Sequence, residues 1–370
     1  MSFFSISFLR KVTAVTVFAV VCPALGNSLL YQAAIPVVDQ SQEQRRLAAK
    51  QALKEVLVKL SGNDNVAANP AIEQALGRAP QLIQQYQYRA NPVADIELAE
   101  GEQRKPQVLE VIFPEAQVRQ ILREAGEAFW PENRPKVLVW LVEDTLERGK
   151  SVLNGYSDSA LVSSLQVSAS ARGLPLVFPL LDLEDTLAAP VDALWRMEKN
   201  TVAQASERYN PAAVLIGRIS TSSSGRVIGT WHFSHRGEGI ERDFQASELK
   251  EQTDLAINAV TRFLTARYAV LPSEAALLTM AVRDVDNYRQ YRDVLEHLSS
   301  LAQITEVTII SAEGNELVLS IATQSSVQRL EDSLALVGKL LPWRDDHSAP
   351  AWVQLQRGTR QNPLVYRLAP

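Results

Sequence analysis

The sequence predicts a multi-domain chain of α/β and α+β class, with mixed-sheet domains followed by a C-terminal ferredoxin-like βαββα domain. Three observations carry this expectation. The apolar run Lys136–Val142 opens a stretch in which strand-period and helix-period segments alternate, the pattern of strands covered by helices. The last quarter reads strand, helix, strand, strand, helix. The 370 residues are 46% hydrophobic and 21% charged, an ordinary globular composition with more chain than a single core usually holds.

The chain begins with an address. Arg10 and Lys11 precede the uncharged run Val12–Cys22, Pro23 breaks it, and Ala24-Leu25-Gly26 offers small residues for cleavage after Gly26. The run has roughly half of the ~20 apolar residues that a spanning helix needs. Residues 1–26 are therefore expected to be a signal peptide removed on export, and the protein to be periplasmic, with no stable membrane span after processing. An uncleaved anchor is less favoured. So is a lipid on Cys22, because Val21 stands where that processing wants Gly, Ala or Ser. Cleavage would remove two bases, the single cysteine and no acid. A cysteine-free mature chain has no thiol catalysis, disulfide or thiolate metal site to draw on and must fold by core burial alone. The net charge of −5 excludes nucleic acid, or an anionic membrane, as a partner held by bulk electrostatics.

Residues 27–131 read as a mixed α/β domain. Leu29–Val38 is strand-like. Ser41–Leu60 is an amphipathic helix with Leu47, Leu53, Val56, Leu57 and Leu60 on one face and Gly62 as its left-handed cap. Asn69-Pro70 starts a second helix. Gln107–Phe113 is a strand, Pro114–Ala125 a helix, and Asn91–Pro106 a polar surface loop. Trp130–Pro135, with two prolines, reads as a linker into a central α/β domain over 132–271. There Lys136–Val142 is a strand buried on both faces. Helix Asp158–Ala171, strand Leu174–Leu180, helix Val191–Tyr209 and strand Ala212–Ile219 follow. Arg226–Ser234 and Glu241–Ala246 are antiparallel strands joined through Gly237-Glu238-Gly239, and Glu248–Tyr268 is a long helix. The ferredoxin-like domain spans 272–345: strand Leu277–Val285, helix Asn287–Leu301, a hairpin of Ile304–Ser311 and Glu316–Thr323 about Gly314, and helix Ser325–Leu340. The tail 346–370 offers Ala351–Leu355 or Leu364–Leu368 as an added edge strand.

The segments Leu29–Gly62 (LLYQAAIPVVDQSQEQRRLAAKQALKEVLVKLSG), NPAIEQAL at 69–76, QYQYR at 85–89, LEVIFPEAQVRQIL at 109–122 and RPKVLVWLV at 134–142 together resemble the gammaproteobacterial exported proteins of the domain of unknown function 2066 family. The resemblance runs over most of the mature chain and implies no activity, catalytic residue or cofactor. The central segment is also loosely similar to α/β modules of periplasmic accessory proteins, an analogy of fold alone.

No constellation of side chains reads as a catalytic, cofactor or metal site. His232 and His235 share an H-x-x-H, but on a strand they face opposite ways. His297 lies on a helix beside Leu298, and His347 in a polar tail near Asp345 and Asp346. Ser247 and Lys250 match S-x-x-K without the companion motifs of serine–lysine acyl transfer, so Ser247 reads as a helix cap. Gly237-Glu238-Gly239 lacks the third glycine and the helix of a dinucleotide site. Asp182, Glu184, Asp185 and Asp192 form the densest acidic group, too irregular for an EF-hand. Of the six tryptophans, Trp140 reads as core, while Trp130 and Trp343, beside prolines, suit packing between domains. These features predict a non-catalytic adaptor or assembly factor that binds another envelope protein. The alternatives are a hydrolase using the acidic group, or a small-ligand binder working between the first and second domains.

Overall fold

The computed structural model describes residues 28–90, 96–97, 103–104, 107–222, 226–246, 248–271, 276–343 and 357–369. The expected signal peptide with Gly26, most of the 91–106 loop, Ser247, His347, Trp352 and Ala351–Leu355 lie outside the described residues. The molecule is mixed α/β, of multi-domain α+β type.

In the N-terminal part a 3-10 turn (Ser28–Tyr31) leads into β1 (Gln32–Val37), α1 (Gln42–Ser61), α2 (Pro70–Gly77), β2 (Gln85–Ala90), β3 (Ile96–Glu97), β4 (Gln103–Arg104), β5 (Gln107–Ile112) and α3 (Glu115–Glu124). The sheet is antiparallel in the order β1-β5-β2, and β3 pairs with β4. The α1 caps follow the sequence signals: the Ser41 hydroxyl accepts from the Gln44 N–H, and Gly62 at φ 67° donates to the Val58 carbonyl. Of the face expected to be buried, Leu53, Val56, Leu57 and Leu60 are buried and Leu47 is not. Leu47 is half exposed, while Ala48, Ala49, Ala52, Leu53, Val56, Leu57 and Leu60 are buried, because the small alanines let the helix lie close to the sheet.

The central part runs β6 (Val137–Thr145), β7 (Gly149–Leu153), α4 (Ala160–Ala171), β8 (Leu176–Val177), α5 (Leu183–Ala188), α6 (Val191–Trp195), α7 (Lys199–Ser206), β9 (Ala213–Thr221), β10 (Val227–His235), β11 (Glu238–Ala246) and α8 (Leu249–Tyr268). The sheet order is β11-β10-β9-β6-β7, with β8 also on β6. β6 is parallel to β8 and β9, and the remaining pairs are antiparallel. β6 is buried on both faces: Val137, Val139 and Leu141 pack in a core with α4 and α8, and Leu138, Trp140 and Val142 in one with α6 and α7. The helix expected over Val191–Tyr209 is broken at Met197, whose φ of 56° no α-helix accommodates. The β10–β11 turn is also shifted by one residue. Arg236 and Gly237, both at positive φ, make a two-residue turn between paired His235 and Glu238, so Glu238 and Gly239 already belong to the strand.

The C-terminal part comprises β12 (Ala276–Arg283), α9 (Tyr288–Ser299), β13 (Ile304–Glu313), β14 (Glu316–Thr323), α10 (Val327–Val337), β15 (Leu340–Pro342) and β16 (Leu364–Leu368), in the sheet order β13-β14-β12-β16-β15. The expected βαββα path is present, but the tail strand is not at the edge. β16 lies between β12, to which it is parallel, and β15, to which it is antiparallel. Leu364 and Tyr366, two apart on one face of the strand, are buried in the domain core, which is why the strand sits inside.

Residues 130–135, expected as a linker, form no helix or strand, and Trp130, Pro131, Arg134 and Pro135 among them are buried. Trp130 is fully buried, and its backbone N–H donates to the Leu60 carbonyl at 2.6 Å. Arg134 lies over the Trp130 ring, 4.2 Å from its centroid. Its guanidinium donates to the carbonyls of Lys59, Trp130, Pro131, Arg172 and Gly173 at 2.9–3.2 Å. Burial pushes its pKa down to about 9, opposed by the nearby Glu132 carboxylate, so it stays charged at neutral pH. One side chain thus ties α1 to the loop after α4.

Candidate binding slot on the central sheet

Most residues singled out from the sequence are consumed in structural networks. The Asp182 side chain caps α5 through the Asp185 N–H. Asp185 is buried and accepts from the Leu181 N–H, the Tyr209 hydroxyl at 2.5 Å and Arg208. Arg208 also forks onto Asp182 at 2.8 and 2.9 Å and approaches Glu184 at 3.6 Å. Its hydrogen bond holds the Asp182 carboxyl down at about 2. This closed ion-pair group fastens the segment after α7 to α5, while Asp192 lies apart in the first turn of α6.

His232 and His235 do lie on opposite faces of β10. His235 bonds the Ala212 carbonyl through Nδ1 (2.7 Å) and the Tyr268 hydroxyl through Nε2 (2.9 Å). His232 has Nδ1 3.3 Å from Glu241, whose carboxylate is also paired with Lys199. His297 is buried on α9, and its Nε2 has no hydrogen-bond partner among the described residues. Burial lowers the pKa of all three rings. Among the described residues, no group of three or more His, Cys, Asp and Glu is placed to hold a metal ion. A cleft of about 500 Å³ does lie between the first and central parts, but its carboxylate, Asp64, is spent on Arg172 at 2.6 Å and Arg262 at 3.1 Å.

The feature with unused chemistry is a slot of about 310 Å³ between α8 and the β10–β11 hairpin. Strand register builds its floor. Three cross-strand rows share one sheet face: Leu215, Phe233 and Ile240; Gly217, Trp231 and Arg242; Ile219, Gly229 and Phe244. The two glycines make room for the two aromatic rings. A Cβ on Gly217 would lie 2.3 Å from the Trp231 ring, and one on Gly229 would lie 2.7 Å from Phe244. Trp231 and Phe244 therefore lie near-parallel over the sheet, with centroids 6.2 Å apart. Leu255, Ala256 and Ala259 of α8 form the opposite wall.

Two residues of this slot carry a polar atom with no hydrogen-bond partner among the described residues, Trp231 at its Nε1–H and Asn258 at its Oδ1, but both atoms are closed to solvent. Arg242 stands directly across from Trp231 on the edge strand and is exposed, and Arg262 lines the slot from α8. The side chain of Asp243 belongs to the other sheet face, where it takes the Thr230 hydroxyl at 2.7 Å. Sequence reading passed over Trp231. The signal that could have found it is a glycine inside each of two adjacent strands, Gly217 and Gly229, near large aromatics.

A family model described as a domain of unknown function (DUF8605) matches residues 24–131. No curated protein matches the chain. A solved structure titled "Crystal structure of uncharacterized protein" is 12% identical, covering 36% of this chain and 91% of its own, with a TM-score of 0.17, which carries no inference. The expected kinship with the domain of unknown function 2066 family is thereby corrected: the N-terminal segments that suggested it, from Leu29 to Leu122, match a different domain of unknown function.

Proposed function

We propose that this protein is an exported, non-catalytic adaptor that binds another protein of the cell envelope, with the slot between β11 and α8 as its point of contact. The observation that carries this reading is the apolar slot itself, floored by Trp231, Phe233 and Phe244, walled by Leu255, Ala256 and Ala259 and flanked by the edge strand. β11 is the edge strand of its sheet, so a segment entering the slot can also meet main-chain groups along the strand's outer side. The acidic group supports binding over hydrolysis, because Arg208 is paired with Asp182 and Asp185 and Asp185 is turned inward. Export rests on the run Arg10–Gly26.

The test is affinity capture from solubilised envelope with the wild-type chain and with Ala259→Trp, whose indole fills the slot. A partner recovered by the first and lost from the folded second is the expected result. Equal recovery by both would remove the slot from the account.

A further inference from the structure

The two walls of the slot, the β10–β11 hairpin and α8, are tied together near the hairpin turn. Phe233, which lines the slot, meets Phe263 of α8 edge to face, with centroids 5.2 Å apart. Beyond it the Tyr268 hydroxyl lies 2.9 Å from His235 Nε2, and Arg267 reaches Glu238 at 3.0 Å. Among the described residues, the side-chain hydrogen bonds and ion pairs that join hairpin to α8 all lie at this end. At the far end stand Phe244 of β11 and Gln252 and Leu255 of α8, with no such bond between them.

The tied end is completed from outside the central part. Asp332 of α10 is buried, and it gives one carboxylate oxygen to each wall. Its Oδ1 takes Arg236 of the hairpin turn, and its Oδ2 takes Arg267 of α8 at 3.0 Å. Both bonds are charge-assisted, the stronger kind. Arg236 is the first of two turn residues at positive φ, a place that favours Asn, Asp or Gly. An arginine there departs from the favoured turn chemistry, and what its side chain reaches is Asp332.

Resting on the reading of the slot as a binding site, we propose that Asp332 is a clasp through which the C-terminal part sets the width of the slot. With α10 in place, one carboxylate draws hairpin turn and helix end together and holds the walls close. With α10 drawn away, the walls keep only the Glu238–Arg267 and His235–Tyr268 bonds, and the slot widens. Whatever moves the C-terminal part therefore acts on the slot. By linkage, an occupant that spreads the walls loosens the hold of Asp332 to the same extent.

The experiment is an electron paramagnetic resonance distance between nitroxides at Arg242→Cys and Leu255→Cys, exposed positions on the two walls. It uses the chain from Asn27 onward, which carries no cysteine of its own. Asp332→Asn is expected to lengthen the mean distance by about 2 Å or more, the scale of element shifts at an interface. Glu331→Gln, one residue away and paired with Arg357, is expected to leave it unchanged. Where Asp332→Asn fails to fold by circular dichroism, Arg236→Gln severs the same link from the turn and is measured in its place. An unchanged distance in the folded variant, or equal lengthening from Glu331→Gln, overturns the clasp. Capture of a partner is a separate readout: the clasp can fail while capture is still lost in Ala259→Trp, and equal capture by both chains removes the binding site while the distance change remains.

Discussion

Arg134 shows how much one buried side chain can decide. Its five carbonyl partners come from three separate segments, and a lysine ammonium offers only three donors. Arg134→Lys should therefore strand two or more buried carbonyls and cost on the order of 3 kcal/mol, read as a lower urea midpoint. The buried histidines give a second prediction at this scale. Burial holds His232, His235 and His297 below their ordinary value of 6.5, so the unfolded chain takes up protons first as pH falls. Their contribution is complete above about 6.5 and is lost as pH drops through the folded values. The urea midpoint should fall between pH 7.5 and pH 5, and His235→Gln should shrink that fall; equal wild-type midpoints would contradict it. Which histidines were candidates was plain from the sequence, because there are only four. That Tyr268 and the Ala212 carbonyl would satisfy both nitrogens of His235 was not, since these partners lie 33 and 23 residues away in sequence.

Among the elements, those bounded by local chemistry were legible. Ser41 and Gly62 mark both ends of α1, Asn69-Pro70 starts α2 and Asn287 caps α9, whereas the helix expected to run to Leu340 ends at Val337, capped by Gly338. Elements that depend on tertiary contacts were not. The break at Met197 has no local signal, and α1 turned its alanines inward because its face is chosen by what it packs on. The slot belongs to this second kind, since it exists only when Gly217, Trp231 and Arg242 come into register across three strands. Gly217→Ala should force the Trp231 ring off the sheet, destabilising the chain by about 1–3 kcal/mol, and should shift its tryptophan fluorescence. An unchanged spectrum and midpoint would mean that the sheet yields more readily than its packing indicates. Removing residues 357–370 should unpair β12 and β15 together and expose the 276–343 amides to rapid exchange, whereas a merely added edge strand would leave β12 protected.

In the whole molecule, the fold class was readable because each part carries its own apolar period, and the joints between parts were not. Prolines at 131 and 135 suggested a loose connection, yet Trp130 and Arg134 are buried there, and Asp332 of α10 takes Arg236 and Arg267 of the central part. Asp64 likewise binds both Arg172 and Arg262. Such joints present the slot on a braced frame, as suits a protein that holds a partner. Among the described residues no helix is long and apolar enough to cross a membrane. The proposed export would be seen directly as a mature chain beginning at Asn27, and a chain retaining Met1 would contradict it. The most direct test of the account is a photo-crosslinking residue at Leu255, the exposed wall of the slot, set against one at Leu146, which is more exposed still but outside it. The account predicts a discrete protein adduct in intact cells from position 255 alone, lost when Ala259→Trp is added. The same adducts from both positions, or one at 255 that survives the plugged slot, would contradict it.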